Sequence, residues 1–292
     1  MIDKNFSSFV SFVSWWFHKY MDNFQPAATA IREAEAILIT AGAGIGVDSG
    51  LPDFRGNEGF WRAYPVFANL GLGFQQLANP QWFVDDAELA WGFYGHRLNL
   101  YRETVPHDGF QLLHEWSQQK THGAFIFTSN VDGQFQRAEF SSEQIHEVHG
   151  SIHHLQCSRP CGDDIWEASS TRIEVDEATM RARQPLPLCP HCNSIARPNI
   201  LMFGDWAWNS RRSNAQSELL QSWLQKIDTT KLTIIEVGAG KHIPTVRKSG
   251  EELQHRGATL VRINPRDSDG PNGTISIATG ALKGLRQIAA AM

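Results

Sequence analysis

The sequence predicts an α/β protein in which a parallel sheet carries helices on both faces and a smaller lobe is inserted into the chain. Three observations predict it. Short apolar runs recur at AILIT (Ala36 to Thr40), AFIFTSN (Ala124 to Asn130), KLTIIEVGAG (Lys231 to Gly240), ATLVRINP (Ala258 to Pro265) and TISIAT (Thr274 to Thr279). A glycine-rich turn, GAGIG, follows the first of them almost at once, and four cysteines fall in two close pairs inside a stretch of little periodicity. Apolar runs of this length read as strands buried on both faces, and helical patterns such as SELLQSWLQKI between them imply parallel pairing.

A chain of 292 residues with 41% hydrophobic content can bury a sizeable core, so disorder is a poor description of it. A formal charge of -5 argues against a broad basic surface for nucleic acid, because such binding rests on many Lys and Arg contacts to phosphate. Four cysteines in two pairs suit a metal site better than a secreted disulfide framework, which points to a reducing compartment such as the cytoplasm. Near the start, Phe6, Phe9, Val10, Val13, Trp16, Phe17, Tyr20 and Phe24 recur at helical spacing with serines between them. The run is too short to span a bilayer and Asp3 and Lys4 precede it, so an amphipathic helix over residues 1–26, docked on the body of the protein, is expected.

Along the chain the first strand leads into GAGIGVDSGLPDFRG. Gly42 and Gly44 let the backbone turn sharply and approach a pyrophosphate, whose charge backbone amides can hold. The dehydrogenase pattern G-x-G-x-x-G would need glycine at Val47, which disfavours ordinary hydride transfer. Asp53, Phe54 and Arg55 then place an acid, an aromatic face and a guanidinium beside that site; a surface turn with a local Asp53–Arg55 pair is the alternative. After the next strand, TSNVDG puts Ser129, Asn130 and Asp132 where open parallel sheets gather ligands, with Asp132 equally able to cap a helix. HEVHG reads as a strand ending in His149, whose imidazole is suited to accepting a proton near neutrality.

Two stretches break the alternation. Residues 60–101 are aromatic-rich and helical in pattern, and residues 151–201 carry the cysteines; both are expected to form the smaller lobe. The remainder, 27–59, 102–150 and 202–292, forms the nucleotide-binding unit. Cys157-x3-Cys161 and Cys189-x2-Cys192 supply four thiolates in two knuckles suited to tetrahedral Zn2+, a closed and therefore structural site. His153, His154 and His191 are competing ligands by position, ranked behind the cysteines.

Taken in order, GAGIG with SGLPDFRG, SNVDG, the HG at His149, the cysteine pairs, ARPNILMFGD, VGAG and INP around Asn264 resemble the sirtuin family from Ala36 to the C-terminus. The resemblance implies a Rossmann-like domain joined to a zinc-binding lobe, with NAD as co-substrate and an acyl-lysine protein or peptide as partner. It implies deacylation: the acyl oxygen attacks the ribose carbon bearing nicotinamide, His149 removes a ribose hydroxyl proton, and the acyl group passes to ADP-ribose. By position, Gly42, Ala43, Gly44, Asp53, Phe54 and Arg55 would line the phosphates and nicotinamide ribose. Ser129, Asn130 and Asp132 would hold ribose and nicotinamide, with Asn130 beside His149 in catalysis, and Gly238, Ala239 and Asn264 would meet the adenosine half. Phe203, Gly204 and Asp205 resemble the loop onto which substrate adds as a strand.

The chain departs from the family at Gly46, Ser129, Gln134–Phe135, Asp205 and Gly238-Ala239-Gly240, where serine, glutamine, Leu-His, glutamate and Gly-Thr-Ser are usual. Hydrolysis of NAD or transfer of ADP-ribose on the same scaffold is therefore the second reading, and a non-catalytic NAD-binding adaptor the third. Tyr94 and Arg97 lie three apart on an expected helix and can jointly bind a carboxylate. The same Tyr-x-x-Arg resembles the pair in sirtuins that prefer succinyl- or malonyl-lysine; a surface helix with Arg97 paired to a nearby acid is the alternative.

Overall fold

A computed structural model of the chain describes residues 23–53 and 56–292. The expected N-terminal helix lies outside the described residues up to position 22, as do Phe54 and Arg55. The predicted apolar runs become the parallel sheet, in the order β11-β10-β9-β1-β2-β3. Its strands are β1 (Ala36–Ala41), β2 (Ala124–Thr128), β3 (Ile145–Glu147), β9 (Leu232–Val237), β10 (Thr259–Ile263) and β11 (Ile275–Ile277). All six residues of β1 are buried, as a central strand covered on both faces requires.

Alternate residues of each strand face opposite sides, and two separate cores result. On one side Ile37, Ile39, Ile126, Ile235 and Val261 pack with helices α1 (Phe24–Glu33), α7 (Asp108–Gln118) and α11 (Ala281–Ala290) through Ile31, Phe110 and Leu285. On the other, Leu38, Phe125, Ile234 and Leu260 meet α9 (Arg211–Leu224) and α10 (Thr245–His255) through Leu220 and Val246. Burial of each such side chain contributes about 1.5–3 kcal/mol.

The smaller lobe contains more strand than its sequence suggested. β4 (Gly150–Cys157) pairs antiparallel with β5 (Ile165–Glu167) and β8 (Ala196–Ile200), and β6 (Val175–Asp176) pairs with β7 (Arg181–Ala182). Helices α2 (Gly56–Ala63), α3 (Pro65–Asn69), α4 (Phe74–Leu77), α5 (Trp82–Asp85) and α6 (Ala87–Glu103) cover these strands, and α8 (Gln134–Arg137) follows the β2 loop. Asp86 caps α6 by accepting from the Leu89 amide and is itself held by Arg181 at 2.8 Å. Phe60, Phe67, Trp91 and Phe93 form the lobe's core, and the Trp91 indole donates to the Ala196 carbonyl at 2.9 Å, joining α6 to β8.

HEVHG is not one strand. β3 stops at Glu147, Val148 and His149 turn, and Gly150 opens β4 with φ +78°. A Cβ at Gly150 would lie 2.1 Å from the Asn199 carbonyl oxygen, so only glycine lets the chain leave the large sheet for the small one there. His149 therefore sits between the two sheets.

Gly92 provides a test of the packing between lobe elements. A Cβ there would lie 1.9 Å from the Met180 carbonyl oxygen ahead of β7. Alanine favours an exposed helix interior by about 1 kcal/mol over glycine, but overpacking against backbone costs about 1–3 kcal/mol. Gly92→Ala is expected to lower Tm by roughly 5 °C in calorimetry; an unchanged or raised Tm would show that α6 and the hairpin do not touch.

Candidate active site

The sheet changes direction of growth at β1, with β2 and β3 to one side and β9, β10 and β11 to the other. Such a switch point opens a crevice outside the carboxyl ends of the strands. Around it the structure gathers Gly42 after β1, Asn130 after β2, His149 after β3, Gly238 after β9 and Asn264 after β10.

The crevice floor is two backbones in contact. The Gly42 amide donates to the Val237 carbonyl and the Gly44 amide to the Gly238 carbonyl, each at 3.1 Å. A Cβ on Gly42 would lie 2.7 Å from the Ala239 Cα, and one on Gly238, at φ +65°, 2.4 Å from the Gly44 carbonyl carbon. Glycine at both positions thus lets the two turns pack main chain against main chain, closer than any side chain would allow. The turn after β1 is built from single 3-10 turns, Ala43–Ile45 and Val47–Ser49, rather than the start of a long helix.

The neighbouring loops are tied to this floor. Asn130 Nδ2 donates to the Gly42 carbonyl at 3.1 Å, and the Ser129 amide donates to the Ala41 carbonyl at 3.1 Å. Asn264, fully buried, donates from Nδ2 to the Ala239 carbonyl at 2.9 Å while its Oδ1 accepts from the Arg266 and Asp267 amides. Its polar atoms thus hold the β9 and β10 loops together. Asp53, half-buried, lies at the end of the segment leading from the glycine turn.

Electrostatics separate the two titratable groups of the crevice. Burial lowers the His149 pKa below its usual value, partly offset by a hydrogen bond from its ring to the Ser129 carbonyl. Burial pushes the Asp132 carboxyl up to about 6, against a hydrogen bond from the Gln134 amide to Asp132 Oδ1 at 2.9 Å. Asp132 thus makes a local turn ahead of α8, whose N-cap is Gly133.

Tyr94 and Arg97 do share one face of α6, but both are buried, so the expected alternative of a surface helix does not apply. Arg97 Nε donates to Tyr101 Oη at 3.0 Å, and the guanidinium lies 5.1–5.5 Å from the Phe93, Tyr94 and Tyr101 ring centroids. Burial raises the Tyr94 phenol to about 12, which keeps it a neutral donor. In the Phe203 to Asp205 loop, Gly204 is exposed at φ +67°. The Asp205 side chain instead turns inward: it pairs with buried Arg197 at 2.8 Å and accepts from the Met202 and Ala207 amides. Asp205 therefore braces the loop, while Trp206 beside it is 99% exposed. Sequence reasoning missed Arg197, Tyr101 and Trp206, since partner and burial come only with the fold.

The four cysteine sulfurs lie within 4.8 Å of one another, with Cys157–Cys192 at 3.6 Å and Cys161–Cys189 at 3.5 Å. Tetrahedral zinc at about 2.3 Å from each sulfur sets them about 3.8 Å apart, so the donor set fits Zn2+. Two of the competing histidines are engaged elsewhere: His153 Nε2 bonds the Asp132 carbonyl at 2.8 Å and His191 pairs with Asp164 at 2.7 Å.

The family model described as the Sir2 family matches residues 42–232, which span the glycine turn, His149 and all four cysteines. The chain belongs to the Sir2 family. It is 28% identical over 274 residues to an NAD-dependent protein deacylase of Thermus thermophilus, covering 91% of this chain and 93% of that protein. It is also 28% identical to the mitochondrial NAD-dependent protein deacylase sirtuin-5 of Danio rerio, over 81% of this chain and 77% of that one. A solved Sir2 homologue in complex with NAD superposes with a TM-score of 0.68 at 24% identity, covering 91% and 93% of the two chains, and shares the fold. The described residues of this Sir2-family chain contain no helix long and apolar enough to cross a membrane.

Because zinc binding and folding of such a lobe are linked, metal removal has a localised signature. A strong chelator, or Cys189→Ser, is expected to remove one zinc per chain and to erase hydrogen-exchange protection in β4, β5 and β8, while β1 and β9 stay protected. Full protection of β4 in metal-free protein would contradict a structural role.

Proposed function

We propose that the protein is an NAD-dependent protein-lysine deacylase yielding nicotinamide and O-acyl-ADP-ribose. The observation that carries this reading is the convergence of the two-glycine floor, Asn130 and the partly buried His149 at one switch point in a Sir2-family chain. The likeness to relatives named NAD-dependent protein deacylases supports it. NAD would lie along the carboxyl ends of the strands, its pyrophosphate over Gly42, Ala43 and Gly44 and its adenosine half over Gly238 and Ala239. Asn264 acts by fixing those loops. Asp53, Phe54 and Arg55 would close over the nicotinamide ribose, and Ser129, Asn130 and Asp132 would orient it.

When bound, NAD supplies an electrophilic ribose carbon and a nicotinamide leaving group. His149 accepts a proton from a ribose hydroxyl through its unprotonated ring nitrogen, with the Ser129 carbonyl holding the imidazole in place. The acyl-lysine peptide would add beside Phe203 and Gly204, on a loop stiffened by Asp205 and Arg197. Residues 27–59, 102–150 and 202–292 make up the NAD-binding unit in this scheme, 60–101 the helical insertion and 151–201 the zinc module. A cytoplasmic location follows from thiolates that need reducing conditions.

The buried Arg97 with Tyr94 and Tyr101 favours acyl groups ending in a carboxylate, succinyl or malonyl, because a desolvated guanidinium binds such a group strongly. In folded Arg97→Met protein, KM for a succinyl-lysine peptide is expected to rise about tenfold or more, with acetyl-lysine turnover little changed. Acetyl-lysine outrunning succinyl-lysine severalfold in the parent protein, with Arg97→Met harmless, would defeat this specificity.

His149→Ala should lower O-acyl-ADP-ribose formation by about 10²-fold or more while NAD still binds. The base works only when neutral and burial lowers its pKa, so the acid limb of kcat/KM should fall below pH 6.5. Burial also pushes the Asp132 carboxyl up to about 6; a limb that persists in Asp132→Asn belongs to His149, and one that vanishes does not. Free ADP-ribose without acyl product, or ADP-ribosylated protein, would instead favour NAD hydrolysis or ADP-ribose transfer.

A further inference from the structure

We infer that His107 is a positioning residue for the NAD-binding loop, a strut between the N-terminus of α7 and the glycine turn; this rests on the proposed NAD site. Two contacts of its imidazole show the geometry. Nδ1 accepts from the Gly109 amide at 3.0 Å, capping α7, and Nε2 donates to the Ile45 carbonyl at 2.9 Å, at the end of the turn that carries Gly42, Ala43 and Gly44. The His107 amide adds a third link by donating to Ser49 Oγ at 3.0 Å.

Capping alone does not call for histidine. Asn, Asp, Ser and Thr are the preferred N-caps, and a short side chain reaches the amide as well as a ring does. What a short side chain lacks is a second, distal donor. The imidazole is long enough to satisfy the helix amide with one edge and the loop carbonyl with the other, which also fixes it in the neutral, Nε2-protonated form. The next position is adapted to it. A Cβ at Gly109 would lie 2.6 Å from His107 Cε1 and 2.8 Å from Nδ1, so glycine leaves the ring its place.

The loop stretch this strut holds is anchored from outside at other points too, with Ile45 fully buried in the core on that face of the sheet. Asp48 Oδ2 accepts from the Leu282 amide at 2.8 Å, at the start of α11. The segment from Ile45 to Ser49 is thus suspended between the N-termini of two helices that pack on the same face of the sheet. Holding this segment holds the glycine turn in place against the Gly238 loop, to which the Gly44 amide donates, and a preorganised site binds without the ordering a loose one requires.

His107→Asn tests the strut apart from the cap, since its carboxamide can accept from Gly109 but stops about one bond short of the Nε2 position. In calorimetric titration with NAD alone, H107N is expected to bind about tenfold more weakly than the parent, the loss of one well-placed hydrogen bond. Tm should stay within a few degrees, and KM for acyl peptide at saturating NAD should be unchanged. Gly109→Ala crowds the same ring from the helix side, together with Leu285 Cδ1 at 2.8 Å, and should give the same weakening. Parent-like NAD affinity in folded H107N overturns the strut and leaves a helix cap only; where H107N does not fold, the presence or absence of the loss in G109A decides. A parent chain that takes no NAD at all overturns both this inference and the proposed function, which separates the two failures.

Discussion

Two peptide backbones in van der Waals contact set the conditions for everything else in this molecule. The turn after β1 and the turn after β9 approach so closely that a single methyl group at Gly42 or Gly238 would collide with main-chain atoms of the other. Main chain cannot swing aside as a side chain can, so the contact is either made by glycine or not made. It ties the first turn to the loop after β9, the Gly42 amide donating to the Val237 carbonyl and the Gly44 amide to the Gly238 carbonyl. The loops after β2 and β10 then lock onto it through Asn130 and Asn264, whose amide groups bond to backbone on the neighbouring loop.

Around that floor the structure buries charge selectively. Arg197 with Asp205, and Arg262 with Glu236, are ion pairs with almost no exposure, the first joining β8 to the loop after it and the second linking facing residues of β10 and β9. A buried pair is a poor source of net stability against an apolar substitute, yet removing one partner leaves the other costly, so such pairs specify one loop conformation. Arg262 and Arg247 extend this by donating to the Asp269 carbonyl beyond β10. The same low dielectric that enforces these pairs depresses the His149 pKa and raises that of Asp132. Loop rigidity and proton chemistry share one cause, exclusion of water from the crevice.

Some features were legible because a local rule decides them. Strands β1, β2, β9 and β10 announce themselves as apolar runs, since a strand covered on both faces has no polar side to show. The two cysteine knuckles are readable because few arrangements of four thiols in such spacing make chemical sense without a metal. Harder features depended on partners distant in sequence. His149 read as the end of a strand, yet it lies in a turn, because Gly150 approaches the Asn199 carbonyl some fifty residues on. Asp205 was legible only as part of a loop resembling a peptide-binding one; that its carboxylate pairs with Arg197 is marked by no pattern within FGD. The stretch 151–201 looked irregular because β4 is interrupted by polar residues that pair with β8 and with the β2 loop, as Gln156 and His153 do.

By itself the sequence determined the class of fold, the glycine turn after β1, the zinc ligands and the ordered motifs of the Sir2 family, since each follows from residue type and short-range spacing. Tertiary structure decided which groups lose water. Burial of Tyr94 and Arg97 on one face of α6, the inward turn of Asp205 and the bridging imidazole of His107 all arise where separate elements meet. Solvent exclusion is a property of the packed assembly, not of any segment, so the pKa values and hydrogen-bond partners that make the crevice reactive come into being only when the two lobes close around it.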